Sequence, residues 1–239
     1  MPVGGSQKSW GSPPSPCLIL VPMQVTDHHG ALTSPGDAAS LHALHGRDTR
    51  DCVLAYTHVL GWPTALGHRY NRSAGCTCGA STCPSPGAHP VTEPVMPLTA
   101  DELAEEIEAR PGAGLIAPCV PFNAVSISYP AGMALTLALE QHGVYVPCVQ
   151  QDHAVAVLFL APGSGRHLSG QGVIVRSGTS AWTALPPSRN LRWDTLPAAD
   201  QALPDAAGLI TPLHEALRVI PVSDVTNSGA QHRKPPPRL

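Results

Sequence analysis

Cys76, Cys78, Cys83 and His89 follow the pattern C-x-C-x4-C-x5-H, and no other stretch of the chain names a chemistry so directly. Three thiolates and one imidazole match the four N or S donors that Zn²⁺ takes in a tetrahedron. A closed Cys3His set leaves no coordination position for substrate, so the pattern predicts a structural zinc site rather than a catalytic one. The residues between the ligands are Gly, Ala, Ser, Thr and Pro, so no helix or strand competes for the backbone. Gly79 and Gly87 supply the positive φ that tight ligand loops need. The C-x-C start is tighter than the commoner C-x2-C, and the plain alternative is a loop with free thiols and a surface histidine.

The other reactive residue types are scattered. Asp152-His153 has the composition of an acid–base pair, but beside a turn it reads more simply as solvated, and acid–base work needs a positioned partner. Ser126 and Ser128 lack the Gly-rich elbow that surrounds a nucleophilic serine. His28-His29 and the pair His42 and His45 have no clustered partners and read as surface residues. His68, Arg69 and Arg72, just before the knuckle, could contact a nucleic-acid backbone.

Several elements must position these residues. Cys52, Val53, Tyr56, Val59 and Leu60 follow the i, i+1, i+4, i+7, i+8 stripe of an amphipathic helix. Gly46 separates that helix from a shorter one, Gly61 stands at its C-cap and Pro63 follows. Thr99-x-x-Glu102 is a capping box, with Asp101 and Glu102 complementing the helix dipole and Pro111-Gly112 ending the helix. Residues 115–120 and 125–129 read as two buried strands separated by a turn at 121–123. Residues 131–139 read as a helix covered on most sides, continuing to His142 and capped by Gly143. Strands are expected at 144–149, at 154–160, at 173–176 continuing to 181–185 after a turn at 177–180, and at 191–193. A last helix covers 213–220. Residues 18–23 read as a strand or an apolar peptide, and residues 33–37 as a turn that starts a helix. The pattern predicts an α+β sheet domain over residues 37–222. Residues 1–36 read as a mostly disordered segment, and residues 223–239 as a disordered Pro-rich tail carrying Arg233, Lys234 and Arg238.

Composition sets bounds on this reading. The 239 residues are 43% hydrophobic, enough for a core, while aromatics at 4% point to one rich in Ala, Val and Leu. With 27 Pro and 22 Gly, long irregular connections are expected. A formal charge of −3 and 13% charged residues give no strong electrostatic footprint for nucleic acid or an anionic membrane. Three of the seven cysteines lie in the knuckle; Cys17, Cys52, Cys119 and Cys148 read as buried, reduced thiols rather than a disulfide framework. The apolar run at 17–21 is too short for a signal sequence or a membrane span. A soluble, cytoplasmic protein without a membrane partner is expected.

The order of these features resembles a known family. Gly61-Trp62-Pro63, the knuckle ending in Pro86-Gly87-Ala88-His89-Pro90, and Val173-x-Val175-Arg176 followed by Leu185-Pro186-Pro187-Ser188 are similar to the bifunctional DNA primase/polymerase N-terminal domain of the archaeo-eukaryotic primase superfamily. The resemblance spans residues 54–193 and implies a primase–polymerase-like mixed or antiparallel sheet with flanking helices and a zinc-knuckle loop. For active members it implies two-metal nucleotidyl transfer, with carboxylates holding Mg²⁺ or Mn²⁺ against the attacking and leaving oxygens.

Carried onto this chain, the paired carboxylates fall on Ser126 and Ser128, the later carboxylate on Ile174, and the histidine near the triphosphate on Ala156. None of these side chains supplies the charge or imidazole required. His153, three residues before Ala156, would fall on the other face of a strand. The resemblance therefore implies a catalytically degenerate member with no catalytic residues. Arg176 is left near the triphosphate position, either as a phosphate contact or paired with an acid such as Asp194. The expected function is binding of a nucleotide, a nucleic acid or a protein without nucleotidyl transfer. The alternatives are an active Mg²⁺- or Mn²⁺-dependent primase/polymerase using re-sited acids such as Asp152 and Asp194, and a regulatory protein with no nucleic-acid role.

Overall fold

The structure, a computed structural model, describes residues 41–168, 170 and 172–219. A 3-10 turn at Ala43–His45 leads into helix α1 (Thr49–Leu54), which widens into a π-helical turn at Ala55–Val59. Strands β1 (Ala65–Asn71) and β2 (Gly75–Cys76), helix α2 (Ala100–Ala109), strand β3 (Ala113–Ser128) and helix α3 (Tyr129–Gln141) follow. The remaining elements are β4 (Cys148–Gln151), β5 (Val155–Leu160), β6 (Ile174–Leu185), β7 (Leu191–Thr195) and α4 (Ile210–Val219). The expectations for the N-terminal segment, the strand at 18–23, the turn at 33–37, Cys17, His28, His29 and the basic tail with Arg233, Lys234 and Arg238 lie outside the described residues.

Local chemistry sets the helix ends. The Asp48 carboxylate accepts from the backbone N–H groups of Arg50 and Asp51 at 2.9 and 3.1 Å, capping α1. Thr99 and Glu102 form the capping box reciprocally: Glu102 N–H donates to Thr99 Oγ1, and Thr99 N–H to Glu102 Oε2. Gly61, at φ +64°, releases the chain after the π-helical turn.

The strands form one seven-stranded sheet in the order β2-β1-β3-β5-β4-β7, with β6 also paired to β3. Every pairing among them is antiparallel. β3 is the spine: its first half pairs with β1 and β6, its second half with β5 and β6. It runs unbroken where the sequence suggests two strands and a turn at 121–123. Pro118 and Pro121 have no N–H to give a ladder, and register shifts against β6 between Pro118 and Ala124 absorb them, so the strand bends instead of turning back. β6 likewise continues through 177–180, where Gly178 takes φ +81°. The expected strand at 144–149 begins only at Cys148, after Pro147. β1 is an element that the sequence reading did not anticipate.

Alternate residues of the sheet feed two cores. Phe122, Ala124, Val149, Val157 and Phe159 pack with α1 and with Leu103 of α2. Val125, Ile127, Cys148, Ala156, Leu158 and Leu160 pack under α3 and α4, against Leu135, Leu139 and Leu213. The second core is aliphatic as composition predicts. The first gathers the scarce aromatics: Trp62 lies 4.6 Å from Phe122, 5.2 Å from Phe159 and 6.1 Å from Tyr56 between ring centroids. Tyr56 Oη then donates to Pro186 O at 2.8 Å and accepts from Trp193 Nε1 at 2.8 Å, tying this core to the connection between β6 and β7. Among the described residues, no helix is long and apolar enough to cross a membrane.

A candidate metal knuckle beside an arginine-lined cleft

The knuckle starts on the sheet. β2 pairs with β1 through Tyr70–Cys76 and Asn71–Gly75, so the first ligand leaves from a strand. Turns closed by Gly79 N–H to Cys76 O and Ala88 N–H to Ser85 O fold the loop back, and His68 N–H donates to His89 O at 2.9 Å. That return needs a bare backbone: a Cβ on Gly67 would stand 2.5 Å from His89 O.

The donor atoms of Cys76, Cys78, Cys83 and His89 lie within 4.8 Å of one another. Among the described residues they form the one group of three or more His, Cys, Asp or Glu side chains placed to hold a metal ion. His89 Nε2 faces Cys76 Sγ at 3.4 Å, while Nδ1 lies 3.2 Å from the Pro90 carbonyl. That carbonyl can only accept, so Nδ1 carries the proton and Nε2 is left as the ligand atom. The His68 ring lies 4.4 Å from the His89 ring and is anchored by Thr77 Oγ1 at 3.0 Å, so it buttresses a ligand. Burial lowers its basicity, with His89 and Arg110 adding to the effect.

Burial resists ionisation of Cys76, yet hydrogen bonds from the Cys78 and Gly87 backbones, together with His89, bring its thiol down to about 7. Burial, reinforced by Cys78 and Cys76, pushes the Cys83 thiol up to about 12. Thiolates so close repel one another, and a divalent cation is the group that relieves the repulsion. The four residues fit a metal such as zinc.

Among the described residues, the three thiols outside the knuckle, Cys52, Cys119 and Cys148, are free and buried, as the sequence suggests. Burial raises each of them to about 12, so none is a ready nucleophile.

The positions singled out by the family resemblance do not share one face of the sheet. Ser126 pairs with Val157 and Ile174, whereas Ala156 pairs with Ile127. Ser126, Ser128 and Ile174 therefore look one way, and Ala156 looks the other, under α3. A Cβ on Gly132 of α3 would stand 2.2 Å from Ala156 Cβ, so position 156 has no room for an imidazole. Ser126 and Ser128 are 3% and 4% exposed. Arg176 Nη1 donates to Ser126 Oγ at 2.9 Å, while Asp194, the acid suggested as its partner, binds Arg192 at 3.3 Å. Burial also pulls Arg176 below the ordinary guanidinium range. His153 lies on neither strand face. With Asp152 and Ala154 it forms the three-residue connection between β4 and β5, at φ +59° for His153 and +50° for Asp152, with Ala154 N–H donating to Gln151 O.

A cleft of about 840 Å³ opens beside the knuckle. Arg47, Arg72, Arg189 and Arg192 line it with His45, Tyr70, Gly87 and Gln150, and Asp152 is the one carboxylate among its lining residues. Of the three basic residues expected before the knuckle, Arg72 reaches this cleft, while His68 supports the metal ligand and Arg69 stays exposed on β1. No family model, curated protein or solved structure matches the chain.

Sequence reasoning missed Arg47, Arg189, Arg192 and Gln150. One signal was available: Arg189 and Arg192 directly follow Leu185-Pro186-Pro187-Ser188. Ser188 Oγ accepts from Leu115 N–H at 2.7 Å and donates to Leu115 O at 3.1 Å, so that motif anchors the segment displaying the two arginines.

Proposed function

We propose that this chain is a zinc-stabilised α+β domain of primase–polymerase type that binds nucleotide or nucleic acid and does not transfer nucleotides. The observation that carries the reading is Arg176 on Ser126: a guanidinium bonds one of the two positions onto which the family resemblance carries the paired carboxylates. A positive charge there repels Mg²⁺ or Mn²⁺ and suits a phosphate oxygen. Asp194, one of the acids an active variant would have to re-site, is engaged by Arg192, and Asp152 lies in the β4–β5 turn. The ordered features Gly61-Trp62-Pro63, the knuckle and Leu185-Pro186-Pro187-Ser188 support the family reading. Each has a structural task that such a scaffold would keep.

The knuckle ion is zinc on this reading, because three thiolates with one imidazole favour it over hard cations and leave no open position. A template-directed extension assay with Mg²⁺ or Mn²⁺ is the direct test. No incorporation is expected, and measurable incorporation by pure protein would overturn the non-catalytic reading. Metal analysis of the purified chain should return one zinc per molecule.

A further inference from the structure

The cleft beside the knuckle has features that neither the fold nor the knuckle accounts for. Its four cations are all arginines, in a chain whose formal charge is −3. Among the described residues Arg47 and Arg72 have no ion pair, and Arg72 lies on the segment that joins β1 to β2. Arg189 stacks on Tyr70, with its guanidinium carbon 3.5 Å from the ring centroid. Arg192 and His153 are held from below by Gln150, which is 4% exposed. Arg192 Nε donates to Gln150 Oε1, and Gln150 Nε2 lies 2.9 Å from His153 Nδ1. Arginine has no acceptor, so this amide has one possible orientation: Nε2 donates to His153 Nδ1, and the imidazole keeps its proton on Nε2.

The backbone adds a second, independent observation. The three non-glycine residues with positive φ among those described, Asp152, His153 and Asn190, all line this cleft. Asp152 N–H donates to Asn190 O at 3.1 Å, locking the two turns together. Positive φ at two successive non-glycine residues, Asp152 and His153, has a conformational cost. What the cost secures is an imidazole beside Gln150 and Arg192.

We infer that this cleft binds the phosphates of a nucleotide, with the flat Arg189–Tyr70 stack as the platform for its base. Guanidinium groups match phosphate oxygens in bidentate geometry, and bases stack on arginine planes as on aromatic rings. The volume falls within the range of about 300–1,000 Å³ typical of small-molecule sites. The inference rests on the binding reading above and deepens it: neither Ser126 nor Arg176 is among the residues that line the cleft.

The test is anisotropy of the full chain, metal-loaded, with a labelled single-stranded oligodeoxythymidylate in one arm and a labelled nucleoside triphosphate in the other. Arg72→Gln and Arg47→Gln are the cleft variants, chosen because neither arginine supports the fold, and Arg218→Gln on α4 is the control. Binding by the parent chain in either arm identifies whether strand or free nucleotide is the source of the phosphate. Each cleft variant should weaken that binding about tenfold and, for the strand, reduce the salt slope by about one unit, while Arg218→Gln changes neither. Cleft variants that bind like the parent would overturn the cleft assignment and leave the binding reading standing. A parent chain that binds neither probe would overturn both.

Discussion

The two halves of β3 treat buried polar groups in opposite ways. At the knuckle end, Ser188 is 4% exposed, and its hydroxyl satisfies both the N–H and the C=O of Leu115. At the far end, Ser128 is also 4% exposed, but its hydroxyl meets no partner, and the Nδ2 of Asn123 meets none either. Buried polar atoms are normally paired because desolvation is otherwise uncompensated. Ser188 thus serves the fold with its whole hydroxyl, whereas Ser128 Oγ and Asn123 Nδ2 are buried without a partner.

The comparison breaks most visibly if the knuckle is opened. Cys83→Ser removes one of the four proposed ligands from a loop that has almost no apolar core of its own. Structural zinc contributes about 10–16 kcal/mol in isolated zinc-finger peptides, and the share in this domain is limited to the knuckle because β3 and the two cores fold around other contacts. The expected result is zinc content falling from one to none, rapid exchange of the His68 amide, and a drop in Tm larger than any of the serine substitutions below produces. Full zinc content in the variant would show that Cys83 is not a ligand.

A smaller effect separates the two serines of the far half. Ser128→Asp buries a carboxylate at the N-cap of α3, where only the helix's first N–H groups offset its desolvation, at a cost of about 3–5 kcal/mol. Ser126→Asp places the same group against Arg176 and should cost clearly less. Denaturant midpoints measure both. Equal costs would mean that Arg176 does not face position 126 in solution, and the proposal that it occupies the old metal position would fall with it.

How much of this was legible in the sequence depends on whether the partners are neighbours in the chain. The knuckle, the Thr99–Glu102 box and the glycine stop at Gly61 were all readable, since spacing over a few residues fixes their geometry. The face of the sheet on which Ala156 lies was not, because parity within β5 says nothing about register against β3. His153 sits in the connection between β4 and β5, where strand parity does not apply. β1 was hidden because Gly67, His68 and Arg69 look unlike a strand; Gly67 is there to let His89 O approach. The cleft draws on segments around 45–47, 70–72, 150–153 and 186–193, joined by pairings such as Gln151–Leu191. Single arginines so far apart carry no pattern. The continuity of β3 across Pro118 and Pro121 was missed because proline was read as a turn signal, when irregular pairing could absorb it.

Ser188→Ala tests the polar end of the comparison at intermediate magnitude. The change leaves Leu115 N–H and C=O buried without their partner and opens a gap beside Gly114, whose notional Cβ would sit 3.0 Å from Ser188 Oγ. The expected loss is about 1–3 kcal/mol, read from urea unfolding. A loss below that range would imply that water reaches Leu115 and replaces the hydroxyl.

The smallest expected effect sharpens the comparison further. Ser128→Ala removes a hydroxyl that has already lost its water and gained no partner, so the substitution gives up no hydrogen bond and relieves a desolvation cost. The two side chains are close in volume, so no cavity term offsets that relief. Stability should therefore stay within about 0.5 kcal/mol of the parent or rise slightly, against a clear loss for the chemically identical change at position 188. The pair of substitutions holds residue type and burial fixed and varies only the partner. If Ser128→Ala instead costs as much as Ser188→Ala, the hydroxyl at 128 is bonded in solution, and the far half of β3 must be counted as structurally polar, like the half that carries the knuckle.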